Sequence, residues 1–139
     1  MSGFTTAQIA GIQQREGNIC AMSGALIAGR RLPRHPSETA NHRLNRGIGG
    51  DPSLNGTDNG CAICHTCNGL IESDPDYAAA ARHRGVKLVS GERPELVAMW
   101  CVFFTQWVQL VGDMMLLTGE RDETTRPAVP DPNELDIGL

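Results

Sequence analysis

Apolar and polar positions change their rhythm along this chain, and each change marks an element. Thr5 and Thr6 precede a short stretch, Ala7 to Arg15, that Gly17 would stop, which predicts a capped helix packed as a lid. From residue 20 to 46 no period is sustained. Gly, Pro and Arg dominate there, and the expectation is loop with a brief strand around Ala40 to Arg43. Gly47, Gly49, Gly50, Pro52, Asn55 and Gly56 then predict a long irregular connection, a kind of loop that is commonly functional. A second short strand is expected to lead into Cys64, with a helix starting near Cys67.

Asp74-Pro75-Asp76 supplies an N-cap, a first-turn proline and an early acid, so the alanine-rich run to Arg84 reads as a helix ending at Gly85. Residues 96–104 are continuously apolar and Trp107-Val-Gln-Leu-Val follows. Their β-branched and aromatic content favours a hairpin turning near Thr105 and Gln106. A long helix competes, because Thr105, Gln109 and Asp113 recur every four residues, with Pro94 at its start and Gly119 past its end. A membrane span is not expected, since the uncharged run barely reaches the needed length and carries two glutamines, Gln106 and Gln109. Beyond Glu120 the composition turns acidic and proline-rich, which predicts a disordered tail. The expected organisation is an N-terminal helix (1–19), a central domain (20–89), an apolar extension (90–119) and the tail (120–139).

With 139 residues the chain suffices for one compact domain with appendages, a size at which a staple often supplements the core. Its net charge of −4 argues against a general polyanion binder, yet Arg30, Arg31, Arg34, Arg43 and Arg46, with His35 and His42, make 30–46 a basic zone. That zone suits phosphate contacts, or is simply a solvated arginine-rich loop. No leader of charged, apolar and small residues opens the sequence, so secretion is not expected and a reducing cytoplasm is the default.

Cysteine is the main chemical signal. Of five cysteines, Cys61, Cys64 and Cys67 crowd into seven positions, which favours a metal knuckle over separated disulfides. Cys64-x-x-Cys67 places two thiolates in a tight turn from which both sulfurs reach one tetrahedral zinc. Cys20 is the expected third ligand, but Ser23 stands where its partner cysteine would be. Cys61 is the favoured fourth ligand, with His65 or His35 behind it. The competing reading is a set of buried or redox-active thiols. Cys101 lies in the apolar run and reads as a core residue.

Taken together, Cys20, Asn41-His42, Asn59 and Cys64-x-x-Cys67-Asn68 resemble the HNH endonuclease superfamily over about residues 18–88. Cys20-x-x-Ser23-Gly, His42-Arg43 with Arg46-Gly47-x-Gly49-Gly50, and Ile71-Glu72-Ser73 look most like the small HNH proteins of actinobacteriophages. The Cys67-Asn68 ending is similar to that of the endonuclease VII group, which resolves branched DNA. The resemblance implies an α+β protein, a small zinc-stabilised ββα-metal finger flanked by the N-terminal helix and the apolar hairpin or helix. It implies that His42 is the general base, that Asn59 ties the loop to the finger, and that Asn41 and Asn68 hold a divalent cation. Both amides depart from the usual pattern, aspartate or histidine at the first position and histidine at the second. Glu72, one helical turn beyond Asn68, would supply the missing anion, or be an ordinary solvated carboxylate. Oxygen donors favour magnesium or manganese.

The expected function is metal-dependent hydrolysis of duplex or branched DNA, with structural zinc and Arg30, Arg34, Arg43 and Arg46 on phosphates. Family analogy adds phage packaging proteins as partners and a bacterial host cytosol as the setting. The alternative is a degenerate finger that keeps zinc and a basic face and serves DNA binding or phage assembly. A third reading is a structural protein whose Trp100 and Trp107 region packs on a partner.

Overall fold

The structure is a computed structural model that describes residues 3–45 and 55–134. Its order is α1 (Thr6–Arg15), β1 (Leu26–Ile27), β2 (Arg30–Arg31), β3 (Thr39–His42), β4 (Gly60–Ile63), α2 (His65–Ser73), α3 (Pro75–His83), β5 (Met99–Cys101), β6 (Gln106–Val111) and β7 (Met114–Leu117). The strands form small antiparallel sheets, β1–β2, β3–β4 and β5–β6–β7. The protein is thus a small mixed α/β molecule, and β4 feeds directly into α2.

Local chemistry accounts for the helices. Thr5 and Gln8 form a reciprocal capping box at the start of α1, satisfying two backbone donors that the helix leaves open. Gly17, at φ 67°, turns the chain out after its last turn. Asp74 caps α3 by accepting from the amides of Asp76 and Tyr77, Pro75 opens the helix, and Gly85 at φ 72° follows it.

The apolar stretch is built from the strands β5, β6 and β7, so the hairpin reading holds and the helix reading does not. A second turn extends it to a three-stranded meander: Gly112 at φ 57° and Asp113 link the Val111–Met114 pair, the two-residue Gly-first geometry of tight hairpins. The first turn uses Thr105 at φ 53°, so it lacks the usual glycine signature. Residues 120–134 also differ from expectation. Instead of a disordered tail, they run back over the domain, where Glu123 pairs with Arg84, the Trp107 indole donates to the Asp122 carbonyl and Gln109 donates to the Pro130 carbonyl. Residues 135–139 lie outside the described residues.

One continuous core includes Met22, Ile63, Ile71, Val86, Met99 and Leu110, and a smaller cluster joins Ala98, Trp100 and Trp107. The two tryptophan rings meet edge to face at 5.6 Å, a favourable quadrupolar arrangement. Two arginines staple loops to this core. Arg84, 2 % exposed, donates to the carbonyls of Ala21 and Ser23 at 2.8 and 2.7 Å and pairs with Glu123, joining the Cys20 turn to α3 and the C-terminal stretch. Arg43 is the other. No helix among the described residues is long and apolar enough to cross a membrane.

Candidate metal centre and its neighbourhood

Cys20, His35, Cys64 and Cys67 place one ligand atom each within 4.8 Å of one another, although 44 residues separate the first from the third. The Cys20 turn closes on itself through the Ser23 amide and the Cys20 carbonyl, and the Cys20 amide donates to the His35 carbonyl at 2.9 Å. Cys64 is the N-cap of α2, its sulfur accepting from the Cys67 amide at 3.3 Å, so the helix start itself sets the two-residue spacing of the thiols. The Cys64 amide in turn donates to the Cys20 sulfur at 3.3 Å.

His35 completes the set. Its Nε2 lies 3.4 Å from the Cys64 sulfur and 3.7 Å from the Cys67 sulfur. Corners of a tetrahedron built on bonds of about 2.0–2.3 Å stand roughly 3.5–3.8 Å apart, so the spacing fits zinc. Nδ1 faces the Pro33 carbonyl at 2.7 Å, which can only accept, and the lone pair is thereby directed to Nε2. The cluster could therefore hold a metal ion and is compatible with structural zinc. The hydrogen bond from Cys67 lowers the Cys20 thiol to about 5, against the cost of burial, and the same bond pushes Cys67 up.

The expected fourth ligand requires correction. Cys61 is not in the cluster; it sits opposite Asn41 in the β3–β4 pair, fully buried, with its thiol pushed up chiefly by desolvation. Local context explains the difference: residue 61 lies inside β4, whereas residue 64 is the cap of α2. Ser23 had marked an incomplete knuckle in the sequence, and it proves to be part of the solution. Its hydroxyl accepts from the His35 amide at 3.1 Å and donates to the His35 carbonyl at 3.2 Å, so the residue in the missing cysteine's place anchors the histidine that substitutes for it. His65 is exposed, its amide held by Glu38.

β3 carries Asn41 and His42 to its end, opposite Cys61 and Gly60 and away from the Cys64 end of β4. His42 is half-buried, stacks on Phe4 and approaches the Asn55 side-chain oxygen with Nε2 at 3.2 Å. Asn59, 1 % exposed, brackets Leu44: its Oδ1 accepts from the Leu44 amide at 2.7 Å and its Nδ2 donates to the Leu44 carbonyl at 3.0 Å. The Arg43 amide adds a bond to the Asn59 carbonyl at 2.7 Å. A buried amide thus fixes the backbone just after His42. Asn68 is half-buried in the first turn of α2.

Other expected site residues lie elsewhere. Arg43 is 1 % exposed, and its guanidinium donates to the carbonyls of Gly85, Asp58, Pro94 and Val97, so it is not available for phosphates. Burial lowers it to about 10. A cation this deep persists because several carbonyl dipoles converge on it. Glu72 is exposed and its carboxylate meets the Lys87 ammonium at 3.0 and 3.1 Å. Arg30 and Arg34 are exposed, on β2 and just after it. Arg46 lies outside the described residues.

Phe4 and Asn55 had no signal in the local spacing around His42, since each joins it only through the fold. For His35, the open fourth corner at Cys20-x-x-Ser23 was the available clue. No family model, curated protein or solved structure matches the chain, so the chemistry of the site rests on its own residues.

Proposed function

We propose that the protein is an HNH-type DNA endonuclease, in which His42 deprotonates the water that attacks phosphorus. The observation that carries this reading is the placement of His42 at the end of β3, in an antiparallel pair that leads straight into a metal-capable helix start, with Asn59 clamping the following backbone. A rigid backbone and a directed imidazole are what a general base requires.

Asn55 Oδ1 can only accept, so its contact favours the tautomer that carries the proton on His42 Nε2. The side-chain oxygens of Asn41 and Asn68 would hold a hard cation, magnesium or manganese, whose chemistry is to neutralise charge on the phosphate and the departing sugar oxygen. Glu72, committed to Lys87, adds little to that set. Arg30 and Arg34 supply exposed phosphate contacts.

Supercoiled plasmid incubated with magnesium, manganese or chelator tests the reading. Nicked or linear product that disappears with chelator and with His42→Ala is expected, and Asn41→Asp should lower the metal concentration needed for half-maximal cutting. Equal cutting by wild type and His42→Ala, or no cutting with either metal, overturns it. The Glu72–Lys87 pair favours one alternative, a DNA-binding or phage-assembly module without catalysis. That alternative would retain plasmid binding and cut nothing.

A further inference from the structure

We infer that α1 acts as an orienting bracket for the His42 imidazole, with Phe4, Gln8 and Asn55 as positioning residues. The inference rests on the reading of His42 as the base, and it assigns a role to a helix outside the β3–β4–α2 unit. Phe4 lies flat on His42, with ring centroids 4.1 Å apart and planes 11° from parallel. Such stacking restrains the imidazole from tipping out of its plane. Asn55 Oδ1 accepts from Nε2 at 3.2 Å and so selects which nitrogen carries the proton.

Gln8 joins the two contacts. Its Oε1 accepts from the Thr5 amide at 2.9 Å, in the capping box that fixes the chain beside Phe4. Its Nε2 donates to the Asn55 carbonyl at 3.1 Å. One side chain therefore pins the backbone of the stacking partner and of the tautomer partner. At the other end of α1, Arg15 donates to the carbonyls of Thr57 and Gly60, at 3.0 and 2.7 Å, holding the segment that follows Asn55 against the same helix. Ile12, 1 % exposed, seats α1 between these ends, beside Gly60.

A swapped tautomer would change which ring nitrogen can accept a proton, and a tilted ring would lengthen the proton's path. Either loss falls on the chemical step and spares DNA binding. Phe4→Leu, Gln8→Ala and Asn55→Ala should each lower kcat about tenfold with KM within about twofold. Phe4→Trp, which can still stack, and Asn55→Asp, which still accepts, should keep most of the rate. A second readout is independent of cutting: ring ¹⁵N shifts of His42, recorded about two units above the ordinary imidazole value of about 6.5. These should show protonated Nε2 in wild type and a tautomer mixture in Asn55→Ala, while Phe4→Leu should lose the ring-current shift and broaden the signals.

Metal content and thermal transitions matching wild type identify the variants that remain folded. Folded Phe4→Leu, Gln8→Ala and Asn55→Ala proteins with unaltered ring signatures and unaltered kcat overturn the bracket. Should His42→Ala cut as fast as wild type, the base reading fails, and unchanged ring signatures in the folded variants still overturn the orientation by themselves.

Discussion

Arg43→Ala would leave the carbonyls of Gly85, Asp58, Pro94 and Val97 without their donor in the interior. A loss of at least about 3 kcal/mol is expected, read as a lower urea midpoint. At the metal cluster, His35→Ala should reduce bound zinc sharply while Cys61→Ala leaves about one ion per chain, a contrast that elemental analysis reads directly. Glu16 gives a pH prediction. It is 4 % exposed, accepts from the Ala62 amide, and desolvation raises it above 4.5 despite Arg15. Its folded form therefore binds a proton more tightly than the unfolded one. Its contribution to stability is complete at and below about 4.5 and is lost as pH rises through the raised value. Glu16→Gln should flatten that part of the stability profile in urea titrations at stepped pH.

At the scale of elements, the C-terminus of α3 is set by Gly85, whose φ of 72° favours glycine and whose position leaves no room for a Cβ beside the Ala98 carbonyl. Gly85→Ala should cost more than the roughly 1–2 kcal/mol of left-handed strain alone, because backbone must move, and thermal unfolding would register it. Gly112→Ala, with open space around its Cβ, should show only the strain. Helices α1 and α3 were legible in the sequence because their caps are local: Thr5 with Gln8, Asp74 with Pro75, then a glycine after each. The extension was less legible. Period-two and period-four patterns coexist over 96–118, and strand pairing decides between them through contacts such as Trp100 with Trp107 and Val108 with Leu117.

For the whole molecule, the metal cluster joins the Cys20 turn, the His35 loop and the start of α2, while Arg84 ties that turn to α3 and residues 120–134. With zinc held by this cluster, a strong chelator should abolish or greatly lower the cooperative thermal transition, since structural zinc contributes on the order of 10 kcal/mol to small modules. Circular dichroism with and without restored zinc would check it. A transition unchanged by complete zinc removal would mean that core packing alone holds these segments.

Sequence determined what depends on near neighbours: the two capped helices, the Cys64-x-x-Cys67 turn, the strand that presents Asn41 and His42, and the candidate chemistry of thiolates and imidazole. Tertiary structure decided what depends on distant partners. It put His35 and not Cys61 with the thiols, buried Arg43 among carbonyls, gave Glu72 to Lys87, and set Phe4 and Asn55 against His42. The reason is physical: a cap or a ligand pair within one turn is fixed by backbone geometry. A fourth ligand, a buried cation or a stacked ring is instead chosen by which distant groups the packed core brings within a few ångströms.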